Sequence, residues 1–413
     1  MNQTPYTLIT ADTHAGGSHA QYREYLDPKY REAFDEWRGG YKNPAQQHYG
    51  VKKMRNWDLD IRNGDQNSQG VVGEVVFPNT VPPFYKKSIV TTQPPKPAEY
   101  EQCLAGIRAH NRWLVDFCNE DPDRRAGIGL ILPNDLDEAV KDIEFIAKSG
   151  LRGGVLLPLI PEDCHWLKPL YHRDWDKVFA AIQDCDLVMN QHSGQGSPDY
   201  GKGMVAEAIW ISEVQFFCRR GFAHLIMSGV YERFPKLRYI LTESGCSWAP
   251  AMLAQLDRVH GGMQAGMMGE MHYGDGEWGL KQKPSEYARQ HCWYGASFPS
   301  KFELQGMQEV GAERVLWGND YPHYEGTFPY NLESLRLTFA DISEEHRRML
   351  FAENAAALYD FDLDKLKPLA EKHGPTPAQI DEPLPLGDIP RDSNCYLFQT
   401  ALREAREQSA AKA

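Results

Sequence analysis

Four short stretches carry side chains of the kinds that bind metal ions and move protons. Asp12-Thr13-His14 sets a carboxylate and an imidazole two residues apart, so in an extended segment both point to the same side. His192 lies in Asn190-Gln191-His192-Ser193-Gly194, and Glu243 in Thr242-Glu243-Ser244-Gly245. Asp320 and His323 share Gly318-Asn319-Asp320-Tyr321-Pro322-His323. Imidazole nitrogen and carboxylate oxygen are ligands of first-row divalent metals, and a metal with an open position makes hydroxide from bound water near neutral pH. Asp12, His14, His192, Glu243 and Asp320 are therefore the candidate metal set. Asp320 is the candidate general base, and His323 a candidate catalytic group that supports a ligand or touches substrate. A single buried His or Asp is more often a hydrogen-bonding core residue; here four separate stretches agree.

Those stretches have to be brought together by the elements before them. Nearly continuous apolar runs occur at Tyr6–Ala11, Val71–Phe77, Ala126–Leu132, Gly154–Leu159, Leu187–Gln191, Arg238–Thr242, Cys292–Ala296 and Val315–Gly318, which suits parallel strands covered on both faces. Amphipathic stretches lie between them. Asp135 predicts an N-cap with Glu138 three residues on and Gly150 as the stop, Trp175–Gln183 precedes the fifth strand, and Glu344-Glu345 after Ser343 suits a first helical turn. Eight strands alternating with helices predict an α/β fold, a (β/α)8 TIM barrel, whose chemistry sits where strands end at the C-terminal face. The candidate residues occupy such ends on the first, fifth, sixth and eighth strands.

The expected organisation is a barrel over 1–360 and a C-terminal arm over 361–413. About residues 16–70, polar with Trp37, Tyr41, Tyr49 and Trp57, are too long for an ordinary connection and predict an inserted lid. Pro82–Tyr100 reads as a second long loop. The Pro-rich tail contains Tyr396, Leu397, Phe398 and Leu402, which need cover from the barrel or from a partner subunit in a homo-oligomer.

A formal net charge of −13 argues against nucleic acid or an anionic membrane as partner. No apolar run approaches the roughly 20 residues of a spanning helix. The N-terminus lacks the basic flank and apolar stretch of a signal peptide, so the expectation is a cytoplasmic protein acting on a small molecule. The 8 cysteines include no C-x-x-C pair and predict reduced, mostly buried thiols. No phosphate-binding Gly-rich loop or serine elbow is present; the one G-x-G-x-x-G match, Gly274 to Gly279, sits in a polar loop.

Several longer segments carry a resemblance: ITADTH, GVVGEVVFPNT, NRWLVDFC with RRAGIGLILP, GLRGGVLLP, NQHSG, SGVYERFPKLRYILTESGCSWAP, WGNDYPH and FAENAAALY, in order from about residue 8 to about 359. They resemble the amidohydrolase-related family of metal-dependent barrel enzymes, in the branch of the aminocarboxymuconate-semialdehyde and resorcylate decarboxylases. The resemblance implies metal ligation by Asp12, His14, His192 and Asp320. The decarboxylases have a histidine in a His-Gly-Gly run on the sixth strand, where this chain has Glu243-Ser244-Gly245. The activity implied is hydrolysis, or non-oxidative decarboxylation, of a small, ring-bearing carboxylate by way of a divalent metal.

An oxygen-rich ligand set suits Mn or Fe as well as Zn. An alternative follows from Glu243 as a bridge between two metals: two irons that activate oxygen, making the chain a non-heme iron monooxygenase on the same barrel. Asn79, after the second strand, is a candidate substrate hydrogen-bond donor. Trp248 and Phe298 are candidate pocket walls, and Arg112 and Trp113 either reach the pocket or belong to an ordinary helix. His224, one turn from the far end of a helix expected over Phe216–Ser228, reads as a packing or capping residue.

Overall fold

The computed structural model describes residues 4–42, 50–272 and 280–412; Tyr49 and the Gly274 to Gly279 match lie outside them. Eight parallel strands form one sheet in chain order: β1 (Leu8–Ala15), β2 (Val71–Pro78), β3 (Arg125–Leu130), β4 (Gly154–Leu156), β5 (Val188–His192), β6 (Arg238–Thr242), β7 (Cys292–Ser297) and β8 (Val315–Gly318). The sheet closes where β8 returns to β1. Asp320 N–H donates to the Asp12 carbonyl at 3.0 Å, His14 N–H donates to the Tyr321 carbonyl at 2.7 Å, and Thr13 bridges Tyr321 in parallel. The fold is a (β/α)8 barrel.

β1 begins later and ends later than its apolar run suggests. Tyr6 N–H leaves the sheet and donates to the Pro375 carbonyl at 2.8 Å. Thr13, His14 and Ala15 remain paired with Val76, Phe77 and Pro78, so the strand carries its polar residues inside the ladder. Ile9, Ala11, Val75, Ile128, Leu156, Val188, Ile240 and Leu316 pack into one buried cluster fed by seven of the eight strands. Burying such side chains contributes about 1.5–3 kcal/mol each before chain entropy is counted.

The inserted segment contributes α1 (Leu59–Ser68), N-capped by Asp58, whose side chain accepts from Ile61 N–H. After β2 an irregular stretch leads to α2 (Tyr100–Asn119), and α3 (Leu136–Lys148) follows β3. Asp135 caps α3 by accepting from Asp137 and Glu138 N–H, and Gly150 beyond it takes a left-handed φ of 75°. After β5 comes α4 (Met204–Met227), which starts twelve residues earlier than its predicted beginning. Its first turns are apolar on faces without a buried side, so the usual amphipathic signature is missing. The tail folds into α5 (Leu363–His373), which adds Leu366 and Ala370 to the interior cluster, and α6 (Tyr396–Lys412). Leu397 and Phe398 pack with Leu384, Ile389 and Phe298. All eight cysteines are free thiols, seven of them buried. Among the described residues no helix is long and apolar enough to cross a membrane.

Candidate metal centre

The ends of β1, β5 and β8 place Asp12, His14, His192 and Asp320 in one buried cluster. His14 Nε2 stands 3.3 Å from Asp12 Oδ1 and 3.2 Å from Asp320 Oδ1. His192 Nε2 stands 3.3 Å from the same Asp12 oxygen. The far nitrogens are held by the barrel: His14 Nδ1 lies 3.3 Å from the Pro78 carbonyl and His192 Nδ1 lies 2.8 Å from that of Ser193. A nitrogen that donates to a carbonyl leaves its opposite nitrogen as a lone pair aimed inward, the tautomer a metal requires. Ser297 Oγ donates to the second Asp12 oxygen and fixes its plane.

Backbone strain accompanies these positions. Glu243, Phe298 and Asp320, which directly follow or nearly follow β6, β7 and β8, have φ of 58°, 38° and 56°. A non-Gly residue held there costs on the order of 1–3 kcal/mol, and such residues concentrate at functional sites. The left-handed turn at Asp320 lets its N–H reach back to β1 while its carboxylate faces His14.

The electrostatics of the cluster call for positive charge. Burial alone would raise Asp12, yet His192 and His14 hold it below the usual carboxylate range. Burial opposes protonation of His14 and His192, yet the carboxylates raise both. Burial pushes the Glu243 carboxyl up, Asp320 and Asp12 repel its charged form, and it reaches about 8. His14 Nε2 and both Asp320 oxygens are buried without a hydrogen bond of acceptable geometry. Three carboxylates facing one another, with His14 Nε2 and the Asp320 oxygens unsatisfied between them, are what a divalent cation would satisfy. The donor set, two imidazoles with carboxylates, fits such an ion.

A family model of the amidohydrolases matches residues 93–361, most of the barrel. The chain belongs to the amidohydrolase family. The fold of this amidohydrolase is shared with a 5-carboxyvanillate decarboxylase from Sphingomonas paucimobilis, at TM-score 0.61 and 20% identity over 86% of this chain and 100% of that one. A dihydroxybenzoic acid decarboxylase from Polaromonas sp. JS666, with bound manganese and 2-nitroresorcinol, is similar at TM-score 0.60 and 15% identity, covering 86% and 97%. A 5-carboxyvanillate decarboxylase from Novosphingobium aromaticivorans, complexed with manganese and 4-hydroxy-3-methoxy-5-nitrobenzoic acid, is similar at 0.62 and 18%, covering 86% and 96%. No curated protein sequence matches the chain.

The other predicted residues of the amidohydrolase divide into two groups. Glu243 borders the cluster, its Oε2 3.5 Å from His192 Nδ1. His323 stacks on His14 with ring centroids 3.9 Å apart, and its Nδ1 lies 2.9 Å from Asp320 Oδ1. Asn79 is also there, although its visible partners are protein: its Oδ1 lies 3.2 Å from His323 Nε2, and its Nδ2 donates to Asn56 Oδ1 at 2.6 Å. Burial disfavours the His323 cation, but Asp320 outweighs it and the imidazole is raised to about 10.

Arg112, Trp113, Trp248 and Phe298 are not brought into the cluster. Arg112 donates to the Tyr25 carbonyl at 2.8 Å and approaches Asp27, clasping the inserted segment. Trp113 is buried between Tyr22 and Phe117 on the core side of α2. Trp248 packs on Phe222 and Tyr294 under the Arg219 guanidinium, and Phe298 turns to the tail cluster. His224 lies in the last turn of α4 against Tyr171, and burial lowers it to about 4. Sequence reasoning missed Glu325, whose carboxylate groups with those of Glu243 and Asp320 within 4.8 Å. Its one signal was position, two residues past His323 in the same loop.

Proposed function

We propose that this amidohydrolase catalyses the non-oxidative decarboxylation of a hydroxylated aromatic carboxylate, with one divalent ion, manganese, held by Asp12, His14, His192 and Asp320. The observation that carries the reading is the convergence of orphaned His14 and Asp320 atoms in a buried cluster on a barrel shared with manganese decarboxylases. A bound cation supplies a Lewis acid that neutralises the anionic oxygens of the substrate and the charge developing beside them. In the reaction the ring–carboxylate C–C bond breaks, its electron pair stays on the ring carbon, CO2 leaves and a proton takes its place.

The chain's own residues supply that proton. Asn79 Oδ1 accepts from His323 Nε2–H, so the imidazole's second nitrogen faces Asp320 Oδ1 at 2.9 Å, near enough to hand it a proton once the two groups reorient. Asp320, within the cluster and 3.2 Å from His14 Nε2, is positioned to pass this proton to a ring carbon. Glu243 adds a carboxylate at the rim, as a ligand or through water. Neighbours of this kind do not favour the diiron monooxygenase alternative.

The test uses the purified chain loaded with manganese and a set of dihydroxybenzoates and 5-carboxyvanillate. Expected are CO2 release and, in D2O, deuterium at the vacated ring position. His192→Ala loses bound manganese and turnover while its circular dichroism stays that of the parent. A manganese-loaded chain that decarboxylates none of these compounds overturns the activity; retained manganese in His192→Ala overturns the site.

A further inference from the structure

Two asparagines from different connections meet where β1 leaves the barrel. Gly16 N–H donates to the Asn56 carbonyl at 3.1 Å, and Asn79 N–H donates to the Ala15 carbonyl at 2.8 Å. Both backbones are thereby clamped on consecutive residues of one strand end. Asn56 comes from the inserted segment and Asn79 from the segment after β2. The strand end is closely covered: a Cβ on Gly16 would lie 2.7 Å from Thr80 N and 2.8 Å from the Tyr22 hydroxyl. Asn56 is 7% exposed, so its amide must find its partners within the protein.

Those partners give the pair a direction. Asn56 Nδ2 donates to the Lys53 carbonyl at 2.9 Å. A backbone carbonyl accepts and never donates, so the nitrogen of Asn56 faces Lys53 and its oxygen faces Asn79. Asn79 answers with its own nitrogen, at 2.6 Å, which leaves its oxygen 3.2 Å from His323 Nε2. Neither amide can turn round without setting oxygen against oxygen. The orientation at His323 is therefore decided by a peptide carbonyl of the inserted segment, two side chains away.

We infer that Asn56 is a positioning residue: through the Asn79 amide it keeps a proton on His323 Nε2 and leaves Nδ1 to exchange one with Asp320. The use made of that proton rests on the decarboxylase reading; the polarity of the pair does not. With the Asn79 oxygen in front of it, Nε2 keeps its hydrogen whether the ring is charged or neutral. An imidazolium can then pass its Nδ1 proton to Asp320 Oδ1, 2.9 Å away, leaving a neutral imidazole and a carboxylic acid. With the amide reversed, Asn79 Nδ2–H would donate to a bare Nε2, and the only ring proton would sit on Nδ1. Releasing that proton would leave an imidazolate, far too basic to form at neutral pH.

The test follows the His323 Nε2–H by nitrogen-15 NMR in the full chain, labelled at histidine and loaded with diamagnetic zinc. The signal is identified by its loss in His323→Gln. In the parent this hydrogen is expected to be protected from solvent exchange. Asn56→Leu gives the Asn79 nitrogen no acceptor and is expected to speed that exchange roughly tenfold or more. It is also expected to lower kcat for decarboxylation about tenfold with KM unchanged, the loss of one buried hydrogen bond. Asn56→Asp keeps an acceptor and is expected to keep the protection, which reads the pair even if Asn56→Leu fails to fold. In an Asn79→Asp background, where both side-chain oxygens are alike, Asn56→Leu is expected to change exchange no further. Parent-like exchange in Asn56→Leu, or an equal loss in the Asn79→Asp background, overturns the proposal, as does loss of protection in Asn56→Asp. The exchange measurement needs no substrate, so a chain that decarboxylates nothing sinks the proposed activity and not this assignment.

Discussion

Arg62 Nη1 donates to the carbonyl oxygen of His14 at 2.8 Å, so a helix of the inserted segment holds the backbone of a residue proposed to bind metal. The same guanidinium is paired with Glu74 of β2, Nη2 to Oε2 at 2.6 Å, and Arg125 Nε meets the other Glu74 oxygen at 3.1 Å. Thr13 Oγ1 completes the group by donating to Glu74 Oε2 at 3.1 Å. The insertion therefore holds the end of β1 in place.

Arg62→Met removes one partner of this pair and leaves Arg125 as the remaining ion-pair partner of Glu74. Breaking a buried ion pair on one side costs about 3–5 kcal/mol. Urea unfolding is expected to report a loss of that order, and manganese affinity falls with it because the His14 carbonyl is released. A loss below about 1 kcal/mol would show that the pair is dispensable.

Stability should fall on the acid side through Glu74. Burial would raise its carboxyl, but Arg62 and Arg125 hold it down at about 2, below the ordinary 4.5. A depressed carboxylate contributes stability that is complete above its unfolded pKa and is lost as pH falls from 4.5 towards 2. The full effect is on the order of 3 kcal/mol. Glu74→Gln is expected to be less stable at pH 7 and to lose less on acidification; parallel urea-midpoint curves for variant and parent would contradict this.

Glu243→Gln keeps the size of the side chain and removes its charge. Without metal the variant is expected to melt higher than the parent at neutral pH, since a carboxyl that burial and the nearby Asp320 and Asp12 hold at about 8 must take up a proton on folding and an amide need not. The rise in Tm on adding manganese is expected to shrink, because a charge attracting the cation has gone. Unchanged melting in both states, with turnover and its pH profile as in the parent, would make Glu243 a purely structural residue.

The barrel and the members of its polar cluster were legible in the sequence for local reasons. Apolar runs such as Arg238–Thr242 and Val315–Gly318 mark strands whatever their neighbours do, and the polar residue that follows each one falls at a barrel mouth once strands and helices alternate. Asp135 capped its helix as its spacing predicts because both partners lie within three residues. The rest depended on contacts between distant segments. β1 runs on to Ala15 because β2 and the loop after β8 pair with its polar end, and Thr10 Oγ1 reaches Asn319 Oδ1 across 309 positions at 3.0 Å. Arg112, Trp113 and Phe298 turn away from the site because the inserted segment and the tail offer them carbonyl, aromatic and apolar partners that no periodicity encodes. Asn79 serves His323 because Asn56 of the insertion fixes its amide. Residue types and local spacing decide which groups stand at a strand end; which of them face one another is decided by long-range closure, where loops fold over the mouth and bury charges that must find partners.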